Sequence, residues 1–181
     1  MTVSKEFEQY IDAVSDLDLG HLQSMGVGGK AIVNAGLIGI GRIEIDGSYW
    51  HPEESGKSAL VLPVGDSDRF SSFVDLVAFR TSQPDVWWMR TGFGPLLGYQ
   101  NLEKCIHFEK QLTVHSNPLQ WLQSECEGIC VLDWGSCLAF WFSGIKHFYC
   151  PNPKTGYRLE KALKREISLP EIRVGGLQHA A

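Results

Sequence analysis

Four consecutive apolar residues, Ile129-Cys130-Val131-Leu132, follow Gly128 and precede Asp133. Successive side chains on a strand point to opposite faces, so a run that is apolar at every position needs cover on both sides. A layered arrangement of sheet and helices meets that need. The residues just before supply one helix: Asn117 as N-cap, Pro118 at the first helical position, Leu119, Leu122 and Cys126 along one side, and Gly128 as the stop. Residues 138–142 are a second apolar run. With residues 145–150 they read as a hairpin turning at Ser143-Gly144, which places residues 140–142 in a central strand beside residues 129–132.

The remaining segments fit the same class. Phe7, Tyr10, Ile11, Val14 and Leu17 recur at helical spacing among Glu6, Glu8, Asp12 and Asp16, which predicts an amphipathic first helix with Ser4 as its cap. Leu19, Leu22 and Met25 belong to a helical turn that Gly26-Val27-Gly28-Gly29 ends. Residues 37–46 and 59–64 read as strands, with Asp46-Gly47 a turn. Residues 70–79 fit a short helix or a strand equally. Val86-Trp87-Trp88-Met89 reads as a strand after the Pro84-Asp85 turn, and residues 112–115 as another. A last helix starts near Thr155, turning Leu159, Ala162 and Leu163 inward and Arg158, Lys161 and Arg165 outward. Ile172 and Val174 are expected in a closing strand. The expectation is an α/β or α+β fold: a single globular domain over residues 1–181, with a mixed sheet and peripheral helices.

Composition narrows the setting. A content of 44% hydrophobic and 20% charged residues suits a chain with a real core and is too apolar for disorder. The longest apolar stretch, residues 137–142, is far short of the ~18 residues of a spanning helix, so no membrane contact is expected. The start, Met1-Thr2-Val3-Ser4-Lys5-Glu6, lacks a basic segment followed by an apolar one, and the cytoplasm is the expected compartment. Five cysteines, an odd count, point to reduced thiols rather than a disulfide framework.

The net charge of −5 argues against nucleic-acid binding by the surface as a whole, yet it hides an asymmetry. From Lys146 onward seven Lys/Arg stand against three Glu, so this end is basic and the rest strongly acidic.

Several short patterns invite functional readings. Gly56-Lys57-Ser58 matches the end of a phosphate-binding loop, but His51 stands where its first glycine belongs and the following Ala59-Leu60-Val61-Leu62 is β-like. Gly28-Gly29-Lys30 fails similarly, with Ser24 at the first-glycine position and Ala31 after the lysine. Both read as glycine-rich turns. Cys126 and Cys130 have the spacing of zinc ligands, with Cys137 and His147 downstream, but the apolar flanks favour buried core thiols. Glu44 and Asp46 share one face of a strand, a pattern that suits a divalent cation. With His51, Asp66 or Asp68 they would form an Mg²⁺ or Mn²⁺ site for phosphoryl chemistry. The plainer reading is the wet face of a half-buried strand. Trp87, Trp88, Phe93, Trp121, Trp134, Phe140, Trp141, Phe142, Phe148 and Tyr149 crowd the second half, interleaved with Arg90 and Lys146. They read first as a core of large rings, and second as stacking surfaces for single-stranded nucleic acid.

Val74-Asp75-Leu76-Val77-Ala78-Phe79, then Pro84-Asp85-Val86-Trp87-Trp88-Met89-Arg90-Thr91-Gly92 and Leu96-Leu97-Gly98 follow one another in order. Asn117-Pro118-Leu119-Gln120-Trp121-Leu122, Gly128-Ile129-Cys130-Val131-Leu132-Asp133-Trp134 and Leu169-Pro170-Glu171-Ile172 complete the series. Together, over about residues 74–174, they resemble uncharacterised alphaproteobacterial proteins associated with prophage or other mobile-element regions. The resemblance implies a context near replication or primase genes and carries no activity or catalytic residue with it. The leading expectation is a non-catalytic accessory or binding protein of a mobile element, with no cofactor, whose protein or nucleic-acid partner meets Arg158, Lys161 and Arg165. The alternative is a metal-dependent enzyme of nucleotide or nucleic-acid phosphoryl chemistry using Glu44, Asp46, His51 and Asp68.

Overall fold

A computed structural model of the chain describes residues 2–65 and 73–167. Strands β1 (Gly39–Asp46) and β2 (Tyr49–Pro52) form a hairpin around the Asp46-Gly47 turn. Strands β3 (Lys57–Gly65), β4 (Phe73–Arg80) and β5 (Gln83–Met89) follow as an antiparallel meander, so residues 73–80 are strand rather than helix. β1 pairs antiparallel with β3, and a parallel contact between Tyr49 and Met89 joins β2 to β5 and closes a five-stranded barrel.

The period of two along these strands sorts their residues. Ile43, Trp50, Ala59, Val61, Leu76, Ala78 and Trp88 turn into the barrel, whose mouth is plugged by Phe7 and Tyr10 of helix α1 (Val3–Asp12). Leu60, Leu62, Val64, Val77 and Phe79 turn outward and are just as buried, because further helices cover that side. The plug is pinned by charge: Arg90 Nε lies 2.8 Å from Glu6 Oε1, which also accepts the Tyr10 hydroxyl at 2.9 Å.

Helix α1 is capped by Thr2 and not by Ser4, which lies within it. The periodic residues beyond it part company. Ser15 caps α2 (Asp16–Ser24) through a reciprocal bond with Asp18, and Leu17 is 86% exposed on that second helix. A break that the apolar spacing alone had bridged therefore falls at Val14. Helix α3 (Gly29–Asn34) follows and turns Ala31 towards the barrel's outer wall.

The rest of the chain builds a second sheet against that wall. Its order is β6 (Leu96–Leu97), β8 (Ile129–Val131), β7 (Leu112–His115), β9 (Phe148–Tyr149), with β6–β8 antiparallel and the other pairs parallel. Helix α5 (Pro118–Gln123) makes the crossover between β7 and β8 and faces the barrel. Helices α4 (Tyr99–His107), α6 (Leu138–Trp141) and α7 (Pro153–Ile167) cover the other face. The apolar run at residues 129–132 is explained by this: Cys130 and Leu132 pack towards the barrel, Ile129 and Val131 towards α6 and α7. The fold is α+β, with a mixed sheet and peripheral helices.

The second apolar run was expected as a central strand and is not one. Residues 138–141 are helical, Leu138 and Phe142 are buried four residues apart, and Phe140 between them is 70% exposed. Their spacing, not their unbroken hydrophobicity, decides the structure. Only Phe148 and Tyr149 of residues 145–150 are strand, and they pair with β7 instead of forming a hairpin. Ile172 and Val174 lie outside the described residues.

Candidate ligand cleft

A cleft of about 470 Å³ opens where β5 and the β1–β2 turn meet the segment after β8. Tyr49 and Trp87 contribute aromatic walls from the barrel, Trp134 a third from the opposite side, and α7 delivers Arg158. Local bonds hold each wall. Trp87 Nε1 donates to the Leu132 carbonyl at 3.0 Å, tying the barrel to the second sheet. The Arg158 guanidinium stacks 4.4 Å from the Trp134 ring centre, and Arg165 Nη2 donates to the Trp134 carbonyl at 3.5 Å. Tyr49 is 47% exposed, with Gly92 against the edge of its ring.

Two carboxylates complete the lining, each oriented by a bond to Oδ1. Asp85 accepts Nδ2 of Asn117 at 2.6 Å; the same Asn117 caps α5 by accepting the Gln120 amide at 2.9 Å. Asp133 accepts the Gly135 amide at 2.8 Å in a tight turn. Among the described residues the Oδ2 atom of each has no hydrogen-bond donor. Partial burial lowers the pKa of Arg158 from its ordinary value, which still leaves it a cation at neutral pH.

The three basic residues singled out on the last helix share one exposed face of α7, while Leu159 and Ala162 are buried beneath it. Arg158 and Arg165 are seven residues apart, a rise of about 10.5 Å. Arg158 lines the cleft and Arg165 borders it through Trp134, so the face is anchored on an aromatic residue at two points.

The acidic candidates lie elsewhere. Glu44 is directly opposite His51, and Asp46 opposite Tyr49, on the exposed side of the β1–β2 ladder. Glu44 lines a shallow depression with Glu53, Ser55, Lys57 and Arg80, so two cations share its surroundings. Asp66 and Asp68 fall outside the described residues. Among the described residues no group of three or more His, Cys, Asp or Glu side chains is gathered closely enough to hold a metal ion.

The other patterns have structural explanations. Gly56 is required by a close approach: a Cβ there would sit 2.5 Å from the Ile43 carbonyl oxygen, and Lys57-Ser58 runs directly into β3. Cys126 and Cys130 are buried thiols, and burial pushes Cys126 up to about 12. Ser124 Oγ lies 3.1 Å from His115 Nε2, a pair of the kind that activates a nucleophile. Here Nε2 also lies 2.8 Å from the Glu127 carbonyl, an acceptor only, so Nε2 carries the proton and has no lone pair for the serine. Ser124 instead donates to the Trp121 carbonyl at 2.7 Å.

Tyr49, Asp85 and Asp133 were not singled out in the sequence, because the cleft draws its residues from four separate segments. No described helix is long and apolar enough to cross a membrane. Set against protein-family models, curated proteins and solved structures, the chain matches none.

Proposed function

We propose that the protein is a non-catalytic binding protein, an accessory of a mobile element, that holds single-stranded nucleic acid in the cleft and along the basic face of α7. The observation that carries this reading is the stacking of Arg158 on Trp134 in a cleft that also exposes Tyr49 and Trp87. Aromatic faces beside a guanidinium are the combination that holds unpaired bases, at about 1–3 kcal/mol per stacked base. Lys161 and Arg165 continue the positive charge along the helix, where a sugar-phosphate backbone would run.

The barrel lends support by analogy. A three-strand meander and a hairpin, closed through one parallel pair, is the strand pairing of OB-type barrels, here with the hairpin before the meander instead of after it. Such barrels often bind oligonucleotides, although fold alone never fixes function. The outer face of β4 is covered by α5 in this chain, through Val77, Phe79, Leu119 and Leu122, which leaves the β5 side and the β1–β2 turn as the accessible region.

Titration of a labelled single-stranded oligonucleotide at several salt concentrations tests the reading. Affinity should fall as salt rises, and Arg158→Ala with Arg165→Ala should lower the salt slope by about 2, near 1 per lost phosphate contact. Affinity that changes neither with salt nor with the double substitution overturns it.

A further inference from the structure

We infer that the cleft selects a guanine base, held between its aromatic walls and recognised by the carboxylates of Asp85 and Asp133; this rests on the binding site proposed above. A carboxylate accepts hydrogen bonds and donates none, so two of them lining one cleft set the polarity of what can enter. Phosphate is disfavoured there by like charge, which directs the ligand's uncharged ring inward and its backbone outward to Lys161 and Arg165.

Among the bases, guanine alone presents two adjacent donors, N1–H and the N2 amino group, on its pairing edge. Adenine and cytosine place a lone-pair nitrogen beside their amino group, which would face a carboxylate oxygen repulsively. Thymine and uracil flank one N–H with two carbonyls. The free Oδ2 atoms are held ready: Asn117 fixes Asp85 and the Gly135 amide fixes Asp133 through the other oxygen. Tyr49, Trp87 and the Arg158–Trp134 pair supply flat faces for the purine.

The shared chemistry is the guanine ring, which a strand or a free nucleotide can bring. Fluorescence anisotropy of the full chain with short deoxythymidine strands carrying one central guanine, hypoxanthine, adenine or cytosine tests this, with guanosine monophosphate as a separate arm. The guanine strand should bind about tenfold more tightly than the hypoxanthine strand, which lacks only the N2 amino group, within the range of one well-made base contact. Asp85→Asn and Asp133→Asn should remove that preference while leaving affinity for the plain deoxythymidine strand unchanged.

Comparing bases on the wild-type protein keeps the test valid even where a variant fails to fold. Equal affinity for all four strands, still falling with salt, overturns the guanine assignment and leaves the nucleic-acid reading standing. Guanosine monophosphate bound with the same preference, and no strand bound, upholds the base assignment and overturns the strand reading. Binding of neither overturns both.

Discussion

The Asp75 carboxylate accepts the backbone amide of Gly92 at 2.7 Å, across the turn that leaves β5. Its second oxygen takes the amides of Thr91 and Leu76, each at 2.8 Å, and Gly94 adds a longer bond of 3.3 Å to the first. Asp75 is fully buried in the outer part of the barrel, so these amides take the place of water around its charge. The arrangement fixes the chain just after β5, including Gly92, whose position against the Tyr49 ring shapes one wall of the cleft. Gly94 allows it, because a Cβ at that position would meet Val64 Cγ1 at 2.5 Å and Asp75 Cβ at 3.0 Å.

Asp75→Asn tests this anchor. The amide replaces one acceptor oxygen with an NH₂ group, which then faces amides that are themselves donors. Losing charged hydrogen bonds and leaving buried donors unmet should cost about 3 kcal/mol. The urea midpoint should fall without a change in slope. An unchanged midpoint would mean that the turn is held by other contacts.

The buried pair between Glu6 and Arg90 makes a second, independent claim, about how α1 stays in the barrel mouth. Glu6 is 5% exposed, so Arg90→Met leaves a carboxylate with only the Tyr10 hydroxyl for company. The expected loss is about 3 kcal/mol, and Glu6→Gln in the same chain should recover most of it, because the uncompensated charge is then gone. Thermal melts of the single and double variants check this. A double variant no more stable than the single one would show that packing, not charge, holds the plug.

These two anchors also mark what sequence patterns carry. The α+β class, the α5 cap at Asn117-Pro118, strand β8 and the inward face of α7 all follow from local spacing and turn chemistry, and the structure has them. Residues 138–142 were misread because an unbroken apolar run was given more weight than the four-residue interval between Leu138 and Phe142. Barrel closure through Tyr49 and Met89 has no local signature, since pairing between distant strands is fixed only by tertiary packing. The cleft was hidden for the same reason. Arg158 and Trp134 were each visible in the sequence, one as a basic helix residue and one as a core ring, and nothing in their spacing shows that they stack. Asp75 did leave a signal: one acid between Val74 and Leu76, in a strand that is otherwise apolar through Phe79.

His115, the last residue of β7, makes stability depend on pH near neutrality. It is 8% exposed, and burial lowers its pKa from the ordinary histidine value, with the bond to the Glu127 carbonyl opposing that shift only in part. Nε2–H already serves that carbonyl, so a second proton must go to Nδ1, which has no acceptor among the described residues. The folded state therefore favours the neutral ring more than the unfolded chain does. Above about pH 6.5, the unfolded pKa, both states are neutral and the contribution is fully present. As pH falls below that value the unfolded chain takes up the proton first, and stability declines towards the lower folded pKa. Urea midpoints should thus drop between pH 7.5 and pH 5.5, ahead of the main carboxylate titrations near about pH 4. His115→Gln retains a side-chain N–H donor for the Glu127 carbonyl and cannot titrate, so its midpoint should stay nearly level across the same interval. If the wild-type and glutamine curves ran parallel, the pH dependence would have to arise from another group.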